Sequence, residues 1–198
     1  ATAEALAEHL ASHPAVARIE IAGSLRRSCE TIGDLDLLVA VPAAERDSVI
    51  DRFLAAPAVL QTIERGSTKA AAVVSGGMRA DLRLVEEEEF AAALLHFTGS
   101  KEHNVALRSL AKSRGWTLNE YGLHPHPAGA DEARGSHFAL DSERAIYARL
   151  GLAWIPPEAR EGLGEIELAA AGPLPEPVSY ADLRGTLTCA GEDEQEHE

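Results

Sequence analysis

The sequence predicts an α+β fold: an α/β half up to about residue 85, then a smaller, mostly helical α+β half. Three observations carry this. Val16–Ala22 (VARIEIA) alternates apolar and polar residues, which is the period of a strand. Lys69–Ser75 and Met78–Val85 flank Gly76-Gly77, the pattern of a hairpin with a glycine turn. After Val85 the period becomes helical, over Glu87–Phe97 and Lys101–Arg114, with Thr98-Gly99-Ser100 between them.

The elements follow in order. Residues 2–12 read as a short amphipathic helix. The Val16–Ala22 strand stops at Gly23-Ser24, ahead of a short helical turn. Leu35–Val41 is an apolar run with β-branched members and predicts a buried strand, ended by Pro42. Ala43–Ala55 reads as a helix and Val59–Glu64 as a weaker strand. Gly115 is a C-terminal stop for the second of the later helices. Thr117–Tyr121 reads as a short strand, and residues 122–137, rich in Gly, Pro and His, as loop. Asp141–Leu150 reads as a helix capped by Asp141. Pro156-Pro157 breaks the chain, and residues 171–177 (AGPLPEP) resemble a linker. The expected organisation is 1–85, 86–170 and 171–198, with no internal repeat.

Composition narrows the function. Apolar residues make up 45% of the 198, enough for a packed core. The net charge of −14 argues against a generic basic nucleic-acid coat protein. That charge is uneven, since Glu86–Glu89 and the terminal GEDEQEHE hold much of it. Bound divalent cations would offset clustered carboxylates. Cys29 and Cys189 form neither a disulfide framework nor a zinc spacing. No apolar run is long enough to span a membrane and no signal peptide is visible, so a cytoplasmic setting is expected. The chain starts at Ala1 and reads as a fragment.

The chemistry concentrates in Gly23-Ser24-Leu25-Arg26-Arg27 and Gly33-Asp34-Leu35-Asp36-Leu37. Residues two apart on a strand share a face, so Asp34 and Asp36 point the same way. Two carboxylates that close repel, and burying them without a partner is costly. A pair of Mg²⁺ or Mn²⁺ ions relieves this, since hard divalent ions take oxygen ligands. Asp81, on the predicted strand Arg79–Leu84, completes a triad suited to two-metal transfer of a nucleotide. Glycine at 23 permits close backbone approach to a phosphate, Ser24 adds a hydroxyl donor, Arg27 adds charge, and Gly33 offers a second close approach. An isolated D-x-D is most often a solvated strand edge. The glycine-serine pair, the two arginines and the third strand-borne aspartate together favour a catalytic site.

These residues resemble the nucleotidyltransferase superfamily and, more narrowly, the family X DNA polymerases, the DNA polymerase beta group. GSLRRSCETIGDLDLLV is similar to the signature of their palm. His96-Phe97-Thr98-Gly99-Ser100 with Asn104 and Arg108 resembles the start of their nucleotide-selecting thumb subdomain. LNEYGL (118–123) and WIPPE (154–158) fit as well, and HFTGSKEHN is nearest the bacterial branch. The resemblance implies a nucleotidyltransferase-type mixed antiparallel sheet with helices. It also implies templated addition of a dNMP to the 3′-hydroxyl of primer–template or gapped DNA, with two Mg²⁺ or Mn²⁺ ions, in repair. It implies Asp34, Asp36 and Asp81 as metal ligands, and Ser24, Arg27 and Gly33 at the triphosphate of the incoming dNTP. Phe97 and Gly99 would lie under its sugar and base, Asn104 at its minor-groove edge, and Arg108 on the template strand. Arg83 would partner the carboxylates. His96 stands where many members have Tyr. Nothing before Val16 is long enough for the N-terminal DNA-binding region of bacterial members. Tyr180–Leu187 resembles the opening strand of their phosphoesterase domain, but an acidic tail follows in place of a His-rich motif, so that nuclease is expected to be absent. The rival readings are a fragment that binds nucleotide or DNA without turnover, and a template-independent transferase.

Other residues have plainer readings. His103 reads as a helix-surface residue, and His124 and His126 as loop residues. Glu86–Glu89 reads as a helix start, Ser100 as a helix cap, and Cys29 as a small half-buried residue.

Overall fold

A computed structural model describes residues 2–125 and 138–175. Helix α1 (Thr2–Ala11) leads into strand β1 (Arg18–Ile21), the one-turn helix α2 (Gly23–Arg26) and strand β2 (Asp34–Ala40). A 3₁₀ turn at Ala43–Glu45 opens helix α3 (Arg46–Leu54). Strands β3 (Val59–Arg65), β4 (Lys69–Val74) and β5 (Arg79–Val85) follow. The sheet order is β1-β2-β5-β4-β3, with β2 and β5 parallel and the other pairs antiparallel. The sheet is therefore mixed, as expected.

The alternation of β2 divides its residues between two faces. Leu35, Leu37 and Val39 join Ala80, Leu82 and Leu84 of β5 on one face, under Leu6 and Leu10 of α1 and Val49, Ile50 and Phe53 of α3. On the other face Leu38, Ala40 and Val85 pack against Phe90, Ala93 and Leu94 of helix α4 (Phe90–Thr98). Helix α4 covers only the far end of that face, and the aspartates stand at the near end. Glu86 and Glu89 form a reciprocal capping box at the 3₁₀ turn that opens α4.

Helix α5 (Lys101–Ser113) is capped by Ser100, whose hydroxyl accepts from the His103 N–H. Gly115 lies just beyond α5 with φ +75°, a conformation glycine adopts without strain. Strands β6 (Trp116–Asn119) and β7 (Gly122–Pro125) form a small antiparallel ribbon, followed by helices α6 (Glu143–Arg149) and α7 (Glu165–Ala171). These elements share a second core around Leu107, Ile146, Tyr147, Leu150 and Ile155.

Several expectations need correction. Residues 122–125 form a strand rather than loop, because Leu118 pairs with Leu123 across the ribbon and both are buried. Ser142, not Asp141, caps α6: its hydroxyl accepts from Ala145 N–H, while Asp141 accepts from the Ser142 hydroxyl. Helix α7 was not anticipated, and it reaches into the segment read as linker. His103 is fully buried, not on the surface. Its Nδ1 donates to Glu165 at 2.7 Å and its Nε2 accepts from the Tyr147 hydroxyl at 2.7 Å. Burial holds its pKa below the ordinary value despite the Glu165 contact, so the ring is neutral. His126, Tyr180–Leu187, Cys189 and the acidic tail lie outside the described residues.

Phe53 is fully buried between α3 and the sheet. Phe53→Ala is expected to lower the unfolding free energy by about 3–5 kcal/mol, read from urea denaturation.

Candidate active site

The parallel pairing of β2 and β5 sets Asp36 opposite Asp81 and Asp34 opposite Arg79. Paired residues in a sheet share a face, so the three aspartates lie together on the face that α4 leaves open. Asp36 is partly buried, and burial raises its pKa first, with the charges of Asp34 and then Asp81 raising it further. Arg83 and Arg27 pull it down, but the net effect is a value of about 6. This crowding of negative charge is what a hard cation relieves.

Gly23 is the neighbour that lets Asp36 sit there. Ala22 N–H donates to Asp36 C=O at 2.8 Å, which holds the end of β1 against β2. A Cβ at Gly23 would stand 2.0 Å from Asp36 Oδ2, and φ is +63°. Glycine thus serves the carboxylate directly, a role beyond the phosphate approach expected of it. Ser24 follows at the start of α2, half-buried. Gly33 is exposed with open space around it, so nothing in the structure demands glycine there.

Asp81 is already engaged. Arg79 Nε and Nη2 donate to its two oxygens at 2.6 and 2.7 Å, a two-point fork. Among the described residues, no three carboxylate, histidine or cysteine side chains are gathered closely enough to hold an ion as they stand. The expected carboxylate partner, Arg83, acts on Asp36 only through its charge. Its guanidinium lies 5.3 Å from the centre of the Phe97 ring. The alternation of Arg79, Asp81 and Arg83 on one strand makes either arginine eligible, and the shorter reach falls to Arg79.

Consecutive arginines of α2 tie this face to the second half. Arg26 forks onto Glu143, Nη1 to Oε1 at 2.9 Å and Nη2 to Oε2 at 2.7 Å, and Nη1 also reaches Thr98 Oγ1 at 2.6 Å. Fully buried Arg160 donates to the same Glu143 at 2.6 Å and packs over the Tyr147 and Trp154 rings. Burial raises the Glu143 pKa, but the two arginines outweigh it and hold the carboxyl below its ordinary range. Arg27 donates to the Thr98 carbonyl through Nη1 and to Glu161 Oε1 through Nε at 2.8 Å. A Cβ on Gly99 would stand 3.0 Å from Arg27 Nη1, so Gly99 makes room for that guanidinium. The Gly99-Ser100 peptide is cis.

The remaining predicted residues gather around His96. Asn104 Nδ2 donates to the His96 carbonyl at 2.7 Å, and Arg108 Nη2 donates to His96 Nδ1 at 2.6 Å. Burial lowers the His96 pKa, which suits a neutral ring accepting from Arg108. Phe97 meets His96 edge to face, their centroids 4.9 Å apart. A cavity of about 100 Å³ opens between Phe97, Arg83, Arg46, Thr68, Glu120 and Tyr121. Among the described residues the fold thus makes three groups: Gly23 with the aspartates, Arg27 with Gly99, and Asn104 with Arg108. Sequence reading gave Arg26 no role of its own and missed Glu143, Glu161 and the His103–Glu165 pair. Arg26 was visible beside Arg27, but nothing local marks its distant carboxylate partner.

Two outcomes are expected. Asp36 titrates near pH 6, and Asp34→Asn moves that titration down, read by carboxyl NMR. Since its folded pKa lies above the ordinary aspartate value of 3.8, the stability it contributes is complete below that value and is lost as pH rises through about 6. Gly23→Ala is expected to lower the unfolding free energy by more than about 1 kcal/mol in a denaturant titration, because of the positive φ and the Asp36 contact.

The family model of the DNA polymerase beta thumb matches residues 93–161. The chain is 38% identical over 169 residues to the DNA polymerase/3′-5′ exonuclease PolX of Bacillus subtilis, covering 83% of this chain and 28% of that protein. It is 28% identical over 159 residues to DNA polymerase lambda of Rattus norvegicus, covering 70% of this chain and 28% of the relative. For DNA polymerase lambda of Arabidopsis thaliana it is 26% identical over 162 residues, covering 70% and 31%. The chain therefore spans less than a third of the length of these relatives. The mixed sheet, the thumb match and the bacterial relative together show that the chain belongs to family X of the DNA polymerases, the DNA polymerase beta-like group.

Proposed function

We propose that this chain is the nucleotidyl-transfer part of a templated DNA polymerase that fills short gaps in DNA repair. The observation that carries the reading is the parallel β2–β5 register, which sets Asp36 against Asp81 with Asp34 on the same face. In this reading residues 1–85 are the palm, 86–170 the thumb, and 171–198 the linker and start of a further domain. Bacterial DNA lies in the cytoplasm, and the reading carries that location with it. Among the described residues no helix is long and apolar enough to cross a membrane.

Asp34, Asp36 and Asp81 would hold two Mg²⁺ or Mn²⁺ ions, which supply positive charge to the attacking and leaving oxygens. The oxygen-only donor set and the raised pKa of Asp36 support that fit. Asp81, released from Arg79, faces the attacking 3′-hydroxyl and takes its proton. Ser24 and Arg27 bind the triphosphate of the dNTP, with Gly33 leaving its approach open. Phe97 and Gly99 support the sugar and base. Asn104 and Arg108, released from His96, reach the base edge and the template strand of primer–template or gapped DNA.

A second reading, nucleotide binding without turnover, is favoured by one observation: Arg79 holds both oxygens of Asp81. Primer extension with dNTPs and Mn²⁺ separates the two. Wild-type extension directed by the template base, with Asp36→Asn reducing the rate on the order of 10³-fold, is the expected outcome. Nucleotide binding with no extension would favour the second reading.

A further inference from the structure

Glu161 makes a contact that the polymerase reading does not use. Arg27 and Glu161 lie far apart in sequence, yet Arg27 Nε donates to Glu161 Oε1 at 2.8 Å. Cys29 Sγ lies 3.7 Å from the same oxygen. We propose that Glu161 is a carboxylate latch on the nucleotide site, occupying Arg27 until the triphosphate of an incoming nucleotide takes its place. The proposal rests on the reading of Arg27 as a phosphate ligand.

The neighbouring arginine shows the contrast. Arg26 meets Glu143 through two parallel hydrogen bonds, Arg160 holds the same carboxylate, and the Glu143 side chain is 5% exposed. Separating that pair would strand a buried charge, so it behaves as a permanent joint. Arg27 meets Glu161 through a single bond, and the Glu161 side chain is 40% exposed. An ion pair of this kind contributes modestly, because solvent competes for the Glu161 carboxylate, while the Arg27 side chain is only 14% exposed. Glu161 also sits on a short glycine-bearing segment, with Gly162 at φ +74° and Gly164 at φ +94° just after it. Its carboxylate can leave without disturbing buried groups.

A triphosphate offers more charge and more acceptor oxygens than one carboxylate, and guanidinium favours such two-point acceptors. The exchange leaves the Arg27 bond to the Thr98 carbonyl in place, so the guanidinium stays seated against Gly99. Binding of nucleotide thereby breaks a link between α2 and the segment that follows Arg160. Glu161 is in this account a positioning residue: it sets the affinity for nucleotide and touches neither reacting atom.

The test is equilibrium binding of dATP with Mg²⁺, and of inorganic tripolyphosphate, to the full chain. Glu161→Gln keeps the shape and removes the charge. It is expected to bind both probes about two- to fivefold more tightly, the range a part-exposed ion pair spans. Damage to the fold would weaken binding, so a gain cannot come from misfolding. Unchanged or weaker binding overturns the latch. Arg27→Ala is expected to weaken both probes about tenfold, the scale of one charge-assisted hydrogen bond. If it does not, the reading of Arg27 fails, and the latch with it. If Arg27→Ala weakens binding while Glu161→Gln has no effect, the site reading stands and only the latch falls. The double variant decides the mechanism. It should match Arg27→Ala alone, and an equal gain from Glu161→Gln in that background would assign the effect to general charge repulsion and overturn the latch.

Discussion

The parallel pairing of β2 with β5 is the constraint on which the rest depends. It brings two aspartates to facing positions and a third two residues away, on a sheet face where like charges cannot relax apart. The opposite face of the same strands is wholly apolar, under α1 and α3. A shift of one residue in either strand would bury aspartates and expose leucines, so the hydrophobic pattern itself enforces the placement of charge. Gly23 then closes the site from the side, because only a residue without Cβ leaves room for Asp36.

The second constraint is the seam made by α2. Its two arginines meet the second half in different ways, one through a buried three-way network and the other through a partly exposed single contact. Both also grip Thr98, at the end of α4, where the chain turns through Gly99 into α5. A short helix thus carries the candidate phosphate ligands and the joint between the two halves. Movement of one half against the other would be felt at the proposed nucleotide site through these side chains.

Much of this was legible in the sequence, and the residues show why. The strands carrying Asp34, Asp36 and Asp81 announce themselves by alternation, and the glycines at 23, 99 and 115 mark real turns or close approaches. The mixed sheet and the family follow from short, specific motifs. What escaped notice was long-range or capped by an unexpected neighbour. Glu143 and Glu161 become partners of Arg26 and Arg27 only after the halves pack. His103 looked like a surface residue because its helix is polar in sequence, yet α7 and Tyr147 close over it. Arg79 was overlooked beside Arg83, since period-two patterning gives a face but not the reach of a side chain. Ser142 displaced Asp141 as a cap because both residue types serve, and only backbone geometry chooses between them.

The central claim is that the aspartate face is a two-ion site which assembles when Asp81 leaves Arg79. A crystal structure with Mn²⁺ and a non-hydrolysable dNTP tests it most directly. The account predicts two anomalous peaks about 3.5–4 Å apart, ligated by Asp34, Asp36 and Asp81 and by the triphosphate, with phosphate oxygens at Ser24 and Arg27. Manganese bound elsewhere, or Asp81 still forked to Arg79 with nucleotide in place, would contradict it.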